Sequence, residues 1–347
     1  LSNKVLAVMA GFQVSKRVAA AALLGVAAWG ASPLTGRASE VAVAQTAKYP
    51  LRPITVIVTF PPGGGTDLLA RKLGPRLEKA LGQPVIIDNR PGASGNIGAR
   101  AVAYARADGH TLLMANSSFA INPGVFRNLG FKPKEDFAPI ANIGFVPSVI
   151  VTGSGSDIQS LQQVLLQQSE PALAYASCGN GTPQHLAGEM LYDLRGAALL
   201  HIPYRGCGPA LNDVVAGQVP IGIVTLSSAA TLIESGHLRA LAVTSAQRSP
   251  VLPDVPTVAE VSKTGFELDQ WHGLLAPSHT PEPIITTLNR VVQKALTDPA
   301  LQAELLALGY TPQEGNESAR PSGFKVMIWN DIDRFGALSS KIGLQVD

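Results

Sequence analysis

Ile54-Thr-Val-Ile-Val58 is an unbroken apolar and β-branched run, short enough for a buried strand. Two prolines and three glycines follow it at positions 61–65, and from Leu68 the apolar residues Leu68, Leu69 and Leu73 fall at helical spacing. The pattern predicts strand, tight loop and helix start. It recurs: residues 84–87 and 111–114 are further short apolar strands, and a helix is predicted over 99–107 between them. Strands alternating with helices indicate a parallel sheet, whose ligands collect at the carboxyl ends of the strands. Loops 61–67, 88–96 and 115–122 are therefore expected along one edge.

An apolar run over 140–151, interrupted by Pro147, ends at the break Gly153-Ser-Gly-Ser156 and reads as a crossing to a second lobe. There the order restarts. Residues 173–176 form a strand, Ser177-Cys-Gly-Asn-Gly-Thr182 a loop, and 183–194 a helix with Pro183 in its first turn and Thr182 as its cap. Strands are predicted over 199–203, 220–225 and 238–244, then over 273–276, with helices over 283–296 and around Trp329. The expected organisation is an export signal over 1–44, a first lobe made of 45–149 and 271–347, and a second lobe over 150–270.

Three successive glycines leave the loop 61–67 without Cβ atoms, so a ligand can approach its backbone closely. Thr66 or Asp67 is expected as the helix N-cap, and the free amides of the first turn favour an anion. A phosphate loop needs Gly-x-x-x-x-Gly-Lys-Ser/Thr and a dinucleotide fingerprint needs Gly-x-Gly-x-x-Gly. Gly63-Gly-Gly-Thr-Asp-Leu68 matches neither. A Gly-rich turn without a ligand is the alternative reading.

Composition narrows the classes. Lys16 and Arg17 precede an apolar run over 18–29, too short to span a bilayer, and Ala42-Val-Ala44 is a small-x-small cleavage signal. The formal charge of the whole chain is +2, and removing 1–44 brings it to about −1. The remaining Lys and Arg are scattered singly, which argues against nucleic acid. No later apolar run reaches the length of a membrane span. With 46% hydrophobic residues the chain is globular despite 34 glycines and 26 prolines.

Seven motifs in order carry a resemblance: Tyr49-Pro-x-Arg-Pro-Ile-Thr-Val-Ile-Val58, Pro62-Gly-Gly-Gly-Thr-Asp67, Asp88-Asn-Arg-Pro-Gly-Ala93, Gly179-Asn-Gly-Thr182 with His185-Leu-Ala-Gly-Glu189, Pro203-Tyr-Arg-Gly206, Leu238-Arg-Ala-Leu-Ala-Val-Thr-Ser245 and Leu252-Pro-Asp-Val-Pro-Thr-Val-Ala-Glu260. From about Tyr49 to its end the chain resembles the Bug (TctC-like) family, periplasmic receptors of tripartite tricarboxylate transporters. The resemblance implies an α/β, two-lobed type II periplasmic-binding fold, each lobe a mostly parallel sheet flanked by helices. It also implies a periplasmic monomer that closes on a small carboxylate and delivers it to membrane components of the transporter, with no cofactor, metal or catalytic residue.

The implied ligand contacts are Pro62, Gly63, Gly64, Gly65, Thr66 and Asp67 on one loop, facing Ser177, Gly179, Asn180, Gly181 and Thr182 on the other. Ser117, Tyr204 and Ser227 lie on neighbouring loops, the last two where specificity is expected. Thr225-Leu-Ser-Ser228 stands where many members carry Asp-Asn or a similar polar pair, which favours a ligand without an amino group.

In an exported chain Cys178 and Cys207 follow neighbouring strands at the cleft edge, and a disulfide between them is expected, two unpaired small residues being the other reading. His185 and Glu189 share a helical face, but no second histidine completes a zinc motif. Gly92-Ala-Ser-Gly95 is not a nucleophile elbow. Trp271 is placed either at the cleft or in core packing at the hinge. An enzyme on the same scaffold and a ligand sensor remain the competing classes.

Overall fold

β1 (Ile54–Val58) is buried almost throughout because helices cover both faces of its sheet, which is why it reads as a continuous apolar run. The computed structural model describes residues 49–167, 171–195 and 199–346, so the expected signal segment lies outside the described residues. β1 pairs in parallel with β2 (Val85–Asn89) and β3 (Thr111–Asn116), in the order β2-β1-β3. A second parallel set is formed by β5 (Leu173–Ser177), β6 (Leu199–Pro203) and β7 (Ile221–Thr225), with β5 between the other two.

Two long strands join these halves. β4 (Phe137–Gly153) runs antiparallel to β9 (Asp269–Pro277) as far as Pro147, then continues beside β7 and β8 (Leu238–Val243). β9 in turn pairs antiparallel with β3, and the short β10 (Thr311–Pro312) pairs with β4. The expected mostly parallel sheet is thus a parallel trio in each half, made mixed by the antiparallel strands that pass between them. Pro147 does not end β4, because it sits at the point where the ladder changes partner: Pro147 opposes Asp269 and Ser148 opposes Thr225. A residue without an N–H is tolerated there.

Three other expectations change. The first helix spans Gly65–Leu81 and its N-cap is Gly64, in extended conformation, so Thr66 and Asp67 lie inside the first turn. The glycines let the helix begin three residues ahead of its apolar periodicity. Residues 118–122 of the expected loop 115–122 belong to a buried helix, Ser118–Val125, whose Asn122 and Pro123 conceal it in sequence. β9 begins at Asp269 rather than near 273, since Gln270, Trp271 and His272 are buried polar or mixed residues that show no strand alternation.

Trp271 belongs to the core. Its ring meets Phe324 edge-on at 5.3 Å and its indole N–H donates to Asp331 at 3.0 Å. No helix among the described residues is long and apolar enough to cross a membrane.

Candidate functional site

The register of the sheet brings the carboxyl ends of both parallel trios toward the middle of β4. Asn116, at the end of β3, lies opposite His272, which lies opposite Gly144; Thr225, at the end of β7, lies opposite Ser148. Each trio therefore sends its loops and helix N-termini toward the other, and the amides of two helices meet across a narrow gap.

The first loop is held from within. Asp67 is buried, and its carboxylate accepts from Gly63 N at 2.9 Å, Arg71 Nε at 2.9 Å and Asn89 Nδ2 at 2.9 Å. Burial works to raise its pKa, but these hydrogen bonds outweigh it and hold the carboxyl below its ordinary value. Asp67 thus positions Gly63 rather than presenting charge. Thr66 is also buried, with Oγ1 3.1 Å from His272 Nε2 and 3.5 Å from Asn116 Nδ2. Burial pushes His272 down to about 3, so the ring is neutral. Its Nδ1 has no partner among the described residues, so the hydrogen bond between Nε2 and Thr66 is the ring's one anchor there.

The second loop is held in a parallel way. Thr182 Oγ1 accepts from His185 N at 3.3 Å as a helix cap and donates to Gly179 O at 2.6 Å. Ser177 Oγ accepts from Gly179 N at 3.1 Å and shares a hydrogen bond of 2.6 Å with His201 Nε2. Gly181 N donates to His185 Nδ1 at 3.2 Å, and the two imidazoles stack with centroids 3.7 Å apart. Burial lowers His185 to about 3, aided by His201, and burial lowers His201 to about 4. Gly181 has φ +69, and a Cβ there would lie 2.7 Å from Asn122 Oδ1, so a side chain is excluded twice over. Cys178 and Cys207 are joined by a disulfide, with Cα atoms 4.3 Å apart, that ties this loop to the helix Cys207–Val215.

Contacts between the two sets of loops are direct. Gly65 N donates to Ser228 Oγ at 3.0 Å, and Ser94 Oγ donates to Asn180 O. Ala93 and Ser94 both take positive φ, 45° and 52°, a conformation costly for residues with a Cβ. Beneath lies a recess of about 30 Å³ lined by Gly64, Gly65, Thr66, Asn116, Gln184, Thr225 and neighbours, with no charged side chain. Phe60, Pro61 and Cys178 connect it to an outer cavity of about 760 Å³, a volume typical of a ligand pocket.

The residues expected at the site divide accordingly. Pro62, Gly64, Gly65 and Thr66 line the recess, and Gly179, Asn180 and Tyr204 line the outer cavity. Gly63, Asp67, Ser117, Ser177, Gly181, Thr182 and Ser227 border neither cavity. Ser117 Oγ accepts instead from Trp271 N at 2.9 Å, and the Tyr204 hydroxyl donates to Asp213 at 2.5 Å. Sequence reasoning missed Ser94, Asn116, Gln184, Arg205 and Ser228. Ser94 and Asn116 fall within loops 88–96 and 115–122, expected along the ligand edge, but no local signal distinguished them from their neighbours. His185 and Glu189 stand 3.6 Å apart, and no metal-binding group of side chains occurs among the described residues.

Two lobes joined by crossing strands, with paired glycine-rich helix starts facing a cavity, define a solute-binding protein of the periplasmic-binding class. The chain belongs to the TctC family, the tripartite tricarboxylate transporter family receptors, whose model matches residues 69–344. It is 38% identical over 302 residues to Protein BugT of Bordetella pertussis, covering 86% of this chain and 91% of that one. Among solved structures it is similar to the periplasmic binding protein BugD, with a TM-score of 0.81 and 34% identity over 86% of this chain and 100% of the other. An R. palustris protein solved with adipate superposes with a TM-score of 0.82 at 33% identity, covering 86% and 100%. MatC from Rhodopseudomonas palustris, solved with malate, gives 0.79 at 31% identity, covering 84% and 99%. The resemblance read from the seven motifs is borne out: the family is one of receptors, and BugD is named a periplasmic binding protein.

Proposed function

We propose that this receptor, exported to the periplasm by a signal within 1–44, captures a small carboxylate between loops 61–67 and 177–182. It then delivers the ligand, as a monomer, to the membrane components of a tripartite tricarboxylate transporter. The lobes are 45–149 with 271–347 and 150–270, hinged on β4 and β9.

The observation that carries this reading is the recess of neutral polar groups between two helix starts. The Thr66 and Asp67 amides have no backbone acceptor among the described residues. Such donors hold a carboxylate without a full counter-charge, and opening of the lobes releases it. With no acidic side chain lining the recess, an ammonium has no partner, which favours a ligand without an amino group. The adipate and malate of the two structural relatives are carboxylates of this kind.

Thermal unfolding of the purified chain against a panel of mono- and dicarboxylates tests the reading. A midpoint that rises with the logarithm of ligand concentration is expected for at least one member. No shift with any carboxylate, together with turnover of one of them, would replace the receptor with an enzyme.

A further inference from the structure

Tyr310 is buried and borders neither cavity, yet its hydroxyl donates to Gly65 O at 3.1 Å from 245 residues along the chain. The chain on both sides of it is pinned. Gly309 takes φ +78, and a Cβ there would lie 2.5 Å from Leu226 Cδ2 in the opposite half. β10 pairs with Gly144 and Phe145, and Gln313 N donates to Ile143 O at 3.0 Å. The Tyr310 ring meets His272, itself bonded to Thr66, edge-on at 5.3 Å. Burial pushes the pKa of the phenol up, so it stays protonated and able to donate.

The carbonyl that accepts this bond is half of a peptide group that borders the recess. Gly65 C=O and Thr66 N–H belong to one resonance-coupled amide, and the Thr66 N–H has no backbone acceptor among the described residues. A carbonyl oxygen has two lone pairs, so the phenol can add to the helix ladder without displacing it. A donor on the oxygen draws charge through the amide and leaves its N–H more positive, the cooperativity that strengthens chains of hydrogen bonds in a dry site. Resting on the carboxylate site proposed above, we infer that Tyr310 is a positioning residue of the receptor: it sets the Gly65–Thr66 peptide from behind and makes the Thr66 amide a stronger donor to a bound carboxylate. The neutral recess gains binding strength without gaining charge.

Calorimetric titration with malate, adipate and benzoate tests this on the wild-type chain, on Tyr310→Phe and on a chain carrying a ring-fluorinated tyrosine at the same position. Phenylalanine keeps the ring and loses the donor, whereas fluorination acidifies the phenol and strengthens it. Affinity for whichever probe binds is expected to fall about threefold in Tyr310→Phe, the share one cooperative hydrogen bond lends its neighbour, and to rise with the fluorinated ring. In the ligand-free protein the backbone nitrogen resonance of Thr66 should move in the same order, upfield without the hydroxyl and downfield with the stronger donor. A packing role would not produce that order. Unchanged affinity in Tyr310→Phe, or changes in affinity that the Thr66 resonance does not follow, makes Tyr310 a packing residue and leaves the carboxylate receptor standing. No binding of any of the three probes by the wild-type chain overturns both readings.

Discussion

The amide of Gly65 and the hydroxyl of Ser228 are hydrogen-bonded at 3.0 Å although 163 residues separate them. They are the first turns of two helices from opposite halves of the molecule, and the bond latches one half to the other. Around it the packing is tight: a Cβ on Gly65 would lie 2.2 Å from Ser227 Oγ and 3.2 Å from Thr225 Cγ2. Gly65→Ala should therefore oppose closure while leaving each lobe intact. Overpacking of this kind costs about 1–3 kcal/mol, so ligand affinity is expected to fall about tenfold or more. The ligand-free melting temperature should hold or rise, since alanine is the better helix residue. Unchanged affinity would show that the contact plays no part in binding.

Removing the other partner has a smaller effect. Ser228→Ala leaves the Gly65 amide unpaired in the closed form, a loss of about 1 kcal/mol or roughly fivefold in affinity by calorimetry.

Thr66→Val keeps the volume of the side chain and deletes its hydroxyl. His272 then loses its hydrogen-bond partner in a fully buried site, so stability should drop by about 1–3 kcal/mol in denaturant unfolding. Carboxylate binding should fall as well. Full stability with full affinity would remove Thr66 from both roles.

The disulfide closes a segment of 29 residues. By loop-closure entropy it contributes roughly 3–4 kcal/mol, and the double variant Cys178→Ser, Cys207→Ser should unfold at correspondingly lower denaturant. A wild-type chain whose unfolding is indifferent to reductant would argue against this.

Acid should act on the second loop. Buried neutral, His185 and His201 titrate near 3 and 4, whereas in the unfolded chain they titrate near 6.5. Below pH ~6.5 the unfolded state binds more protons, so their contribution is complete above that value and is lost as pH falls toward 4. The loss is at most about 2 kcal/mol per histidine at pH 5. Protonation would also set an N–H of His185 against the Gly181 amide, loosening the loop. Asp269, pushed up to about 6 by burial and by Glu267, contributes in the opposite sense, but equally in wild type and variant. His272, also lowered to about 3, adds to the same decline; His201→Gln should flatten it between pH 7 and 5, and an unaltered slope would exclude His201 as a source.

Much of the architecture was legible because it rests on local rules. Ile54–Val58 and Ile221–Thr225 are buried on both faces and read as apolar runs; Thr182-Pro183 is a local helix start; and Gly63 and Gly64 favour a tight loop before the helix. The glycine-rich loops at 61–67 and 177–182 were visible for the same reason, since missing Cβ atoms are a property of the residues themselves.

What the tertiary structure alone decided is which polar groups meet. Ser117, Ser177, Thr182 and Asp67 look in sequence like donors or acceptors for a ligand, yet Trp271 N, His201, Gly179 and Arg71 already engage them. Asn116, Arg205 and Ser228 lie in stretches the sequence singled out and Gln184 in a helix start, but nothing local distinguishes them from their neighbours; β4 carries the register of one half into the other and brings them to the cleft. A sequence specifies the conformation of a loop through its own residues. Which hydroxyls remain free within it depends on partners brought from far along the chain, and those are set by strand pairing across the whole sheet.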